Sequence, residues 1–136
     1  DKVIFPGYVK SVSKAVRKEG IFVLSSLYEG IPNSLIEAMA VGIPCVSTDC
    51  SPGGPRFLTN NGERGLLIPT RDVNAMTNAL LELIEDSSKA GHYGQRAMEV
   101  IDDLNEEKIR MKWESAFNQI IKECSNVKSI CNNTCL

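Results

Sequence analysis

No stretch of this 136-residue chain approaches the ~18 consecutive apolar residues that a membrane-spanning helix needs. The opening run, Asp1-Lys2-Val3-Ile4-Phe5-Pro6, holds no apolar segment of signal-peptide length. Basic blocks are missing too. The net charge is -2, and Lys14, Arg17 and Lys18 make only a short patch of solvated helix surface. A broad nucleic-acid-binding face is therefore excluded. The five cysteines, Cys45, Cys50, Cys124, Cys131 and Cys135, are odd in number and fit no zinc spacing. Cys45 lies in an apolar run and reads as a small core residue, and the set reads as reduced cytosolic thiols, with a disulfide within the tail as the alternative. Asn132-Asn133-Thr134 has the form of a glycosylation sequon, but no secretory signal supports it, and the last four residues form no prenylation box. Repeats and low-complexity tracts are absent. What remains is an ordinary soluble composition, 43% hydrophobic and 24% charged, of a length that fits one domain. The chain starts on Asp1 rather than Met and enters a strand-like run at once, which reads as a piece of a longer protein.

Strand and helix signals alternate at short spacing. Val3-Ile4-Phe5 is a β-type run closed by Pro6-Gly7, and residues 10–18 are polar and helix-compatible. Ile21-Phe22-Val23-Leu24 is continuously apolar, as in a strand buried on both faces. A Gly/Pro/Asn-rich loop over 25–33 leads to a predicted helix over 34–41, with Asn33 as N-cap, Gly42 as terminator and Pro44 beyond it. Residues 45–48 are the next strand, 51–55 a loop, 56–58 the start of a short helix and 65–69 another strand. Asp72 is placed to cap a helix with the stripe Val73, Met76, Leu80, Leu83 and Ile84. A weaker helix follows over 88–101. Asn105 is placed to cap a last helix with Ile109, Trp113, Phe117, Ile120 and Ile121 along one side. Residues 125–136 read as a disordered polar tail. This alternation predicts an α/β fold, a Rossmann-like parallel sheet with flanking helices.

In open α/β sheets ligands bind beyond the carboxyl ends of the strands. Three loops leave such ends: 25–33, 49–55 and 69–72. The first runs into a helix whose initial N–H groups, near Asn33 to Ile36, lack intrahelical partners, and the helix dipole adds to them an anion site suited to a diphosphate. Gly30 permits close backbone approach. Glu37 reads as a first-turn residue leaning toward the same cleft, and Glu29 lies in the loop. Two acids repel phosphate but accept hydrogen bonds from vicinal hydroxyls, so the ligand that suits both features is a nucleotide-sugar. The ordinary alternative is that Glu37 is a helix-start charge and Glu29 a solvated loop charge.

Glu29-Gly30-Ile31-Pro32-Asn33-Ser34-Leu35-Ile36-Glu37-Ala38-Met39-Ala40-Val41-Gly42-Ile43-Pro44 resembles the signature of the group 1 glycosyltransferases (family 4, retaining, with the two-lobed GT-B fold). Phe5-Pro6-Gly7 before it, Gly65-Leu66-Leu67-Ile68-Pro69 after it and the closing helix with Trp113 and Phe117 agree, so the resemblance covers residues 3 to about 121. It implies that residues 1–124 are part of the C-terminal, donor-binding lobe, the truncated C-terminal half of a GT-B enzyme. It implies that Glu37 holds the donor ribose, that Glu29 is catalytic and contacts the donor sugar, and that backbone groups of Gly30, Ile31, Pro32, Asn33, Ser34 and Leu35 bind sugar or diphosphate. Gly7-Tyr8-Val9 is placed near the base. The implied reaction is metal-independent sugar transfer with retained configuration, from a nucleotide-diphosphate donor, expected to be a UDP-sugar, in bacterial polysaccharide or glycolipid synthesis. The chain has no Asp-x-Asp motif, and no cofactor is expected. Asp49-Cys50-Ser51-Pro52-Gly53-Gly54-Pro55-Arg56 resembles a variant in surface-polysaccharide transferases, where Arg56 is a candidate for the donor phosphate or the acceptor, or else a surface arginine. His92 reads as helix surface, and the Trp113/Phe117 stripe as packing.

The family pattern normally begins earlier, with two further strand–helix units and an acceptor-binding N-terminal lobe. The expectation is a chain inactive alone, of a cytoplasmic enzyme that touches the inner face of the membrane through the absent lobe. Unpaired sheet edges predict a homodimer by strand pairing or swapping. Two rival readings remain open: another nucleotide-sugar enzyme of the same fold, such as an epimerase or a phosphorylase, and a non-catalytic nucleotide-binding or assembly module.

Overall fold

The computed structural model describes Gly7 and residues 20–133. The expected first strand at Val3–Phe5, the helix over 10–18 with Lys14, Arg17 and Lys18, and the pair Tyr8 and Val9 lie outside the described residues. The elements in chain order are β1 (Phe22–Leu24), β2 (Tyr28–Glu29), α1 (Asn33–Ala40), β3 (Cys45–Thr48), β4 (Ser51–Pro52), α2 (Gly54–Leu58), β5 (Leu66–Ile68), α3 (Val73–Glu85), α4 (Ser87–Ala97), α5 (Val100–Asp103) and α6 (Glu106–Asn133). Two compact units divide at Ile101 and Asp102.

In the first unit β1, β3 and β5 form a parallel sheet in the order β1-β3-β5. Phe22 lies opposite Cys45, and Val46 opposite Leu66. Each crossover carries a helix, as parallel strands require. All four residues of the central strand β3 are buried, so both its faces are covered. On one face Val46 and Ile68 meet Ala79 and Leu83 of α3, with Met76, Leu80, Ala90 and Tyr93 around them. The stripe predicted for α3 is displaced at its ends: Val73 and Ile84 are exposed, and Ala79 takes the central buried position. Asp72 caps α3 as expected, its carboxylate accepting from the Ala75 N–H at 2.8 Å.

Three boundaries differ from the sequence reading. α1 begins at Asn33, with Pro32 in the N-cap position, so Glu37 is its fifth residue and belongs to the second turn rather than the first. A proline fits at this boundary because it fixes φ in the extended approach and has no N–H to orphan. Ser51–Pro52, expected to be loop, pairs in parallel with Tyr28–Glu29. The helix over 88–101 ends at Ala97, and Val100–Asp103 forms a separate short helix.

Gly42 terminates α1 as predicted. It takes φ +79, its N–H donates to Met39 O, and the Ile43 N–H donates to Ala38 O. These two bonds make a Schellman motif, in which a left-handed residue satisfies the last carbonyls of the helix. The turn is also where α4 docks. A Cβ on Gly94 would stand 2.4 Å from the Gly42 carbonyl oxygen, so only glycine permits this approach of backbone to backbone.

The second unit consists of the end of α5 and α6. Asn105 caps α6, its side-chain oxygen accepting from the N–H groups of Glu107 at 3.0 Å and Lys108 at 3.3 Å. Trp113 and Phe117 stack with ring centroids 5.6 Å apart, and both remain exposed, as do Met111, Ile120 and Ile121. The helix runs on to Asn133, through most of the segment where the sequence predicts a polar tail. No glycine or proline falls between Glu106 and Asn133, so nothing intrinsic stops it. Of the cysteines, Cys45 and Cys50 are buried and Cys124 is exposed, all three free, while the side chains of Cys131 and Cys135 lie outside the described residues.

Two outcomes test this packing. Burial pushes the Cys45 thiol from an ordinary 9.0 to about 12. Between those values the folded chain keeps a proton that the unfolded chain has lost, so stability falls as pH rises through that window. The slope contributed reaches about 1.4 kcal/mol per pH unit. Urea titrations above and below pH ~9 should show a decline that Cys45→Ala flattens. Second, Gly94→Ala should destabilise by roughly 1–3 kcal/mol through overpacking against Gly42. Gly91→Ala, three residues earlier with open space around its Cβ, should stabilise by up to about 1 kcal/mol. Thermal melts of the two variants should move in opposite directions.

Candidate functional site

The loops after β1 and β3 leave the carboxyl ends of adjacent parallel strands, where the topology of such a sheet puts ligands. They are fixed to one another. The Thr48 hydroxyl, at the end of β3, bonds to the Ser26 carbonyl and lies 3.4 Å from the Leu24 carbonyl. Thr48 is 3% exposed, so this tie is made away from water. The two loops then run side by side as the β2–β4 pair, Tyr28 opposite Ser51 and Glu29 opposite Pro52. Ser26 in turn donates its hydroxyl to Glu29 Oε1 at 2.8 Å. Glu29 is half-buried at the end of β2, with one carboxylate oxygen already oriented.

Gly30 and Ile31 turn the chain into α1. The N–H groups of Leu35 and Ile36 both reach Pro32 O, at 3.2 Å each. The bare end of the helix is therefore narrower than the sequence suggested. It consists of the N–H groups of Asn33 and Ser34, for which helix geometry supplies no acceptor. Pro32 and Leu35 are buried, so their side chains serve the core while their backbone edges the mouth. Asn33 and Glu37 are both exposed and four residues apart, hence on one face of α1. The Cα–Cβ bonds of a helix tilt toward its N-terminus, so the Glu37 side chain leans over the Asn33 turn from one turn further along. Gly7 is exposed, with φ +68.

Arg56 on α2 is not a free cation. Its guanidinium grips Asp49 in fork geometry, Nε to Oδ1 at 2.9 Å and Nη2 to Oδ2. Asp49, the first residue past β3, is itself held, its N–H donating to Ile68 O at 2.7 Å. The sequence contains both residues of this pair, but their pairing depends on α2 starting at Gly54, two residues before the predicted start. His92 is exposed on α4, beside Tyr93, as expected.

A feature missed by the sequence reading is a largely apolar cavity of about 220 Å³ at the carboxyl ends of β1, β3 and β5. Leu27, Thr48, Ile68, Arg71, Val73 and Met76 are among the residues that line it, and neither glutamate does. Its one sequence signal was the third carboxyl-end loop, 69–72. Among the described residues no cluster of His, Cys, Asp and Glu suits a metal ion, and no helix is long and apolar enough to cross a membrane.

The chain is similar to known proteins. A family model described as "Glycosyl transferases group 1" matches residues 1–86. The chain is 28% identical over 129 residues to the N-acetyl-alpha-D-glucosaminyl L-malate synthase of Bacillus anthracis, covering 94% of the chain and 33% of that protein. It is 32% identical over 117 residues to the poly(ribitol-phosphate) alpha-N-acetylglucosaminyltransferase of Staphylococcus aureus, covering 85% of the chain and 24% of that protein. Among solved structures, a mutant of S. aureus TarM in complex with fondaparinux, alpha-GlcNAc-glycerol and UDP superposes with a TM-score of 0.72 at 32% identity, over 83% of this chain and 23% of that one. Sucrose-phosphate synthase from Thermosynechococcus elongatus superposes with a TM-score of 0.63. The chain thus spans 33% and 24% of the length of these two curated relatives. With the signature from Glu29 to Pro44 in place, the parallel sheet behind it and the family match across more than half its length, this chain belongs to the group 1 glycosyltransferases.

Proposed function

We propose that this chain carries the donor site of a retaining, metal-independent glycosyltransferase that moves a sugar from a UDP-sugar to an acceptor in polysaccharide or glycolipid synthesis. The observation that carries the reading is the mouth of α1. Two unpartnered N–H groups and the positive end of the helix dipole face the space beyond the sheet, with Glu37 leaning over the same turn and Glu29 oriented in the loop that enters it. The diphosphate binds Asn33 and Ser34 N–H at the helix end. Glu37 accepts the ribose hydroxyls, whose paired donors suit a carboxylate. Glu29 contacts the donor sugar. Open space lies where a Gly30 side chain would stand, leaving room for the ligand to approach the backbone. In the transition state the departing diphosphate gains charge, and N–H groups already aimed at it lower the barrier without reorganising. Gly7 lies near the base.

Arg56 reaches the phosphates only by leaving Asp49, so its contribution to donor binding is the smaller one. The TarM structure, which holds UDP, supports the choice of base. The names of the relatives, which include an E. coli galactosyltransferase acting on a diphosphoundecaprenol-linked acceptor, support the polysaccharide and glycolipid setting. The enzyme works in the cytoplasm, at the inner face of the membrane where a lipid-linked acceptor lies. The chain spans a third or less of these relatives' length, and by itself it turns over no donor. β1 has a partner on one side among the described residues, and its open edge favours pairing with a strand of a second copy.

Calorimetry of the chain with UDP, GDP and ADP tests the donor site. UDP should give the largest heat, and no heat with any of the three would leave only a structural module. Glu37→Ala should weaken UDP binding about 10- to 100-fold, the worth of charge-assisted hydrogen bonds. In the longer protein Glu29→Ala should leave UDP affinity intact and lower kcat by roughly 100-fold or more. Equal loss of UDP affinity in both variants would refute these separate roles.

A further inference from the structure

Gly54 is the first residue of α2 and is buried. A Cβ built on it would stand 1.4 Å from the Gly30 carbonyl oxygen, 2.6 Å from the Gly30 carbonyl carbon and 3.2 Å from Ile31 Cα. Each of these is a backbone atom, so no rotamer change relieves the overlap. A contact under 3.0 Å forces the chain itself to move. Gly30 and Ile31 follow Glu29 directly and precede the Pro32 N-cap of α1. The start of α2 is therefore the floor on which the loop between Glu29 and the bare helix end rests. Gly30 makes no such demand in return, since nothing lies within 4 Å of where its own Cβ would be.

From this contact we infer that Gly54 is a positioning residue for the donor site: its missing side chain sets where Glu29, Gly30 and the N–H groups of α1 stand. The inference rests on the donor reading above and adds to it a residue that touches no ligand. It also makes the two carboxyl-end loops one mechanical body. The Thr48 tie fixes their roots, the β2–β4 pair fixes their middles, and Gly54 against Gly30 fixes their tips. Any side chain at 54 pushes the 29–31 segment outward. A displacement of ~1 Å in a group that must meet a ligand atom costs up to ~10²-fold.

The test compares two glycine-to-alanine variants with UDP as the probe, followed by amide NMR of the chain. Gly94→Ala creates a backbone clash of the same kind at Gly42 and serves as the control for lost stability. Gly54→Ala should weaken UDP binding roughly tenfold or more and move the amide resonances of Tyr28 to Ser34. Gly94→Ala should lower thermal stability at least as much and leave UDP affinity within about twofold. Equal affinity loss in the two variants would mean that Gly54 acts through stability alone, and the inference falls. Unchanged affinity in Gly54→Ala also overturns it. If Gly54→Ala does not fold, UDP titration of the unaltered chain decides. The amides of Gly53, Gly54 and Arg56 should then shift along the same saturation curve as those of Gly30 to Ser34, while Gly65 stays still. Movement of Gly30 to Ser34 without Gly53 to Arg56 refutes the coupling. A failure of the unaltered chain to respond to UDP, GDP or ADP instead refutes the donor reading on which the inference stands.

Discussion

The mouth of α1 depends on backbone meeting backbone without side chains between. A helix end binds an anion only if its N–H groups point into open space, and that space is defined by the loop leading in. Here the loop rests on Gly54, while Thr48 pins its root to β3 and the β2–β4 pair runs along its middle. Each constraint is local and short in range. Together they remove the freedom that a nine-residue Gly/Pro-rich connection would otherwise have, and the entropy of ordering it is spent in folding rather than in binding.

The charges around the mouth follow the same economy of position. The dipole of α1 offers about half a positive charge at its N-terminus. Glu37 stands a turn further along, where the dipole has less hold on it, and remains exposed. A carboxylate in the first turn would compete with a bound phosphate for the same N–H groups, whereas one in the second leaves them free. Arg56, the nearest candidate cation of the neighbouring loop, is neutralised by Asp49. In the donor reading proposed above, the free N–H groups, not a lysine or arginine fork, thus give the described part of the site its attraction for phosphate. Such a site discriminates by shape more than by net charge, which agrees with the chain's overall charge of -2.

Much of this was legible in the sequence because the relevant signals are local. The runs at 21–24, 45–48 and 65–69 became β1, β3 and β5, although Val23 of β1 is exposed, so that strand is not buried on both faces as expected. Gly42 and Pro44 marked the end of α1, and Asp72 and Asn105 capped the helices that follow them. The misses share a physical reason as well. Nothing local announces that Ser51–Pro52 will pair with Tyr28–Glu29, because that ladder exists only once β1 and β3 lie side by side. The approach of one loop's backbone to the other at Gly54 was not legible either, because a close contact between loops leaves no periodic trace. Val73 and Ile84 fit the helical stripe of α3 yet stay exposed, since among the described residues the sheet they would cover is three short strands wide. The apolar side of α6 was legible as a stripe, and its rings stack on one another in the open.

An eight-residue helix is too short to persist on its own, because nucleation costs more than so few bonds return. α1 exists because Leu35, Ala38 and Met39 are fully buried and because Gly42 closes it against Gly94. Its far end is clamped, and its near end is the part left free to meet a ligand. The helix end proposed as an anion site is therefore only as persistent as the core behind it. Linkage makes the relation reciprocal: a ligand that binds the folded mouth and not the unfolded chain must stabilise the whole unit. With a rise of 1.5 Å per residue, α1 is about 12 Å long. The Gly42–Gly94 clamp lies at the opposite end of that rod from Asn33, so packing on α4 governs how persistently the helix stands, while the contact at Gly54 governs where its first N–H groups stand.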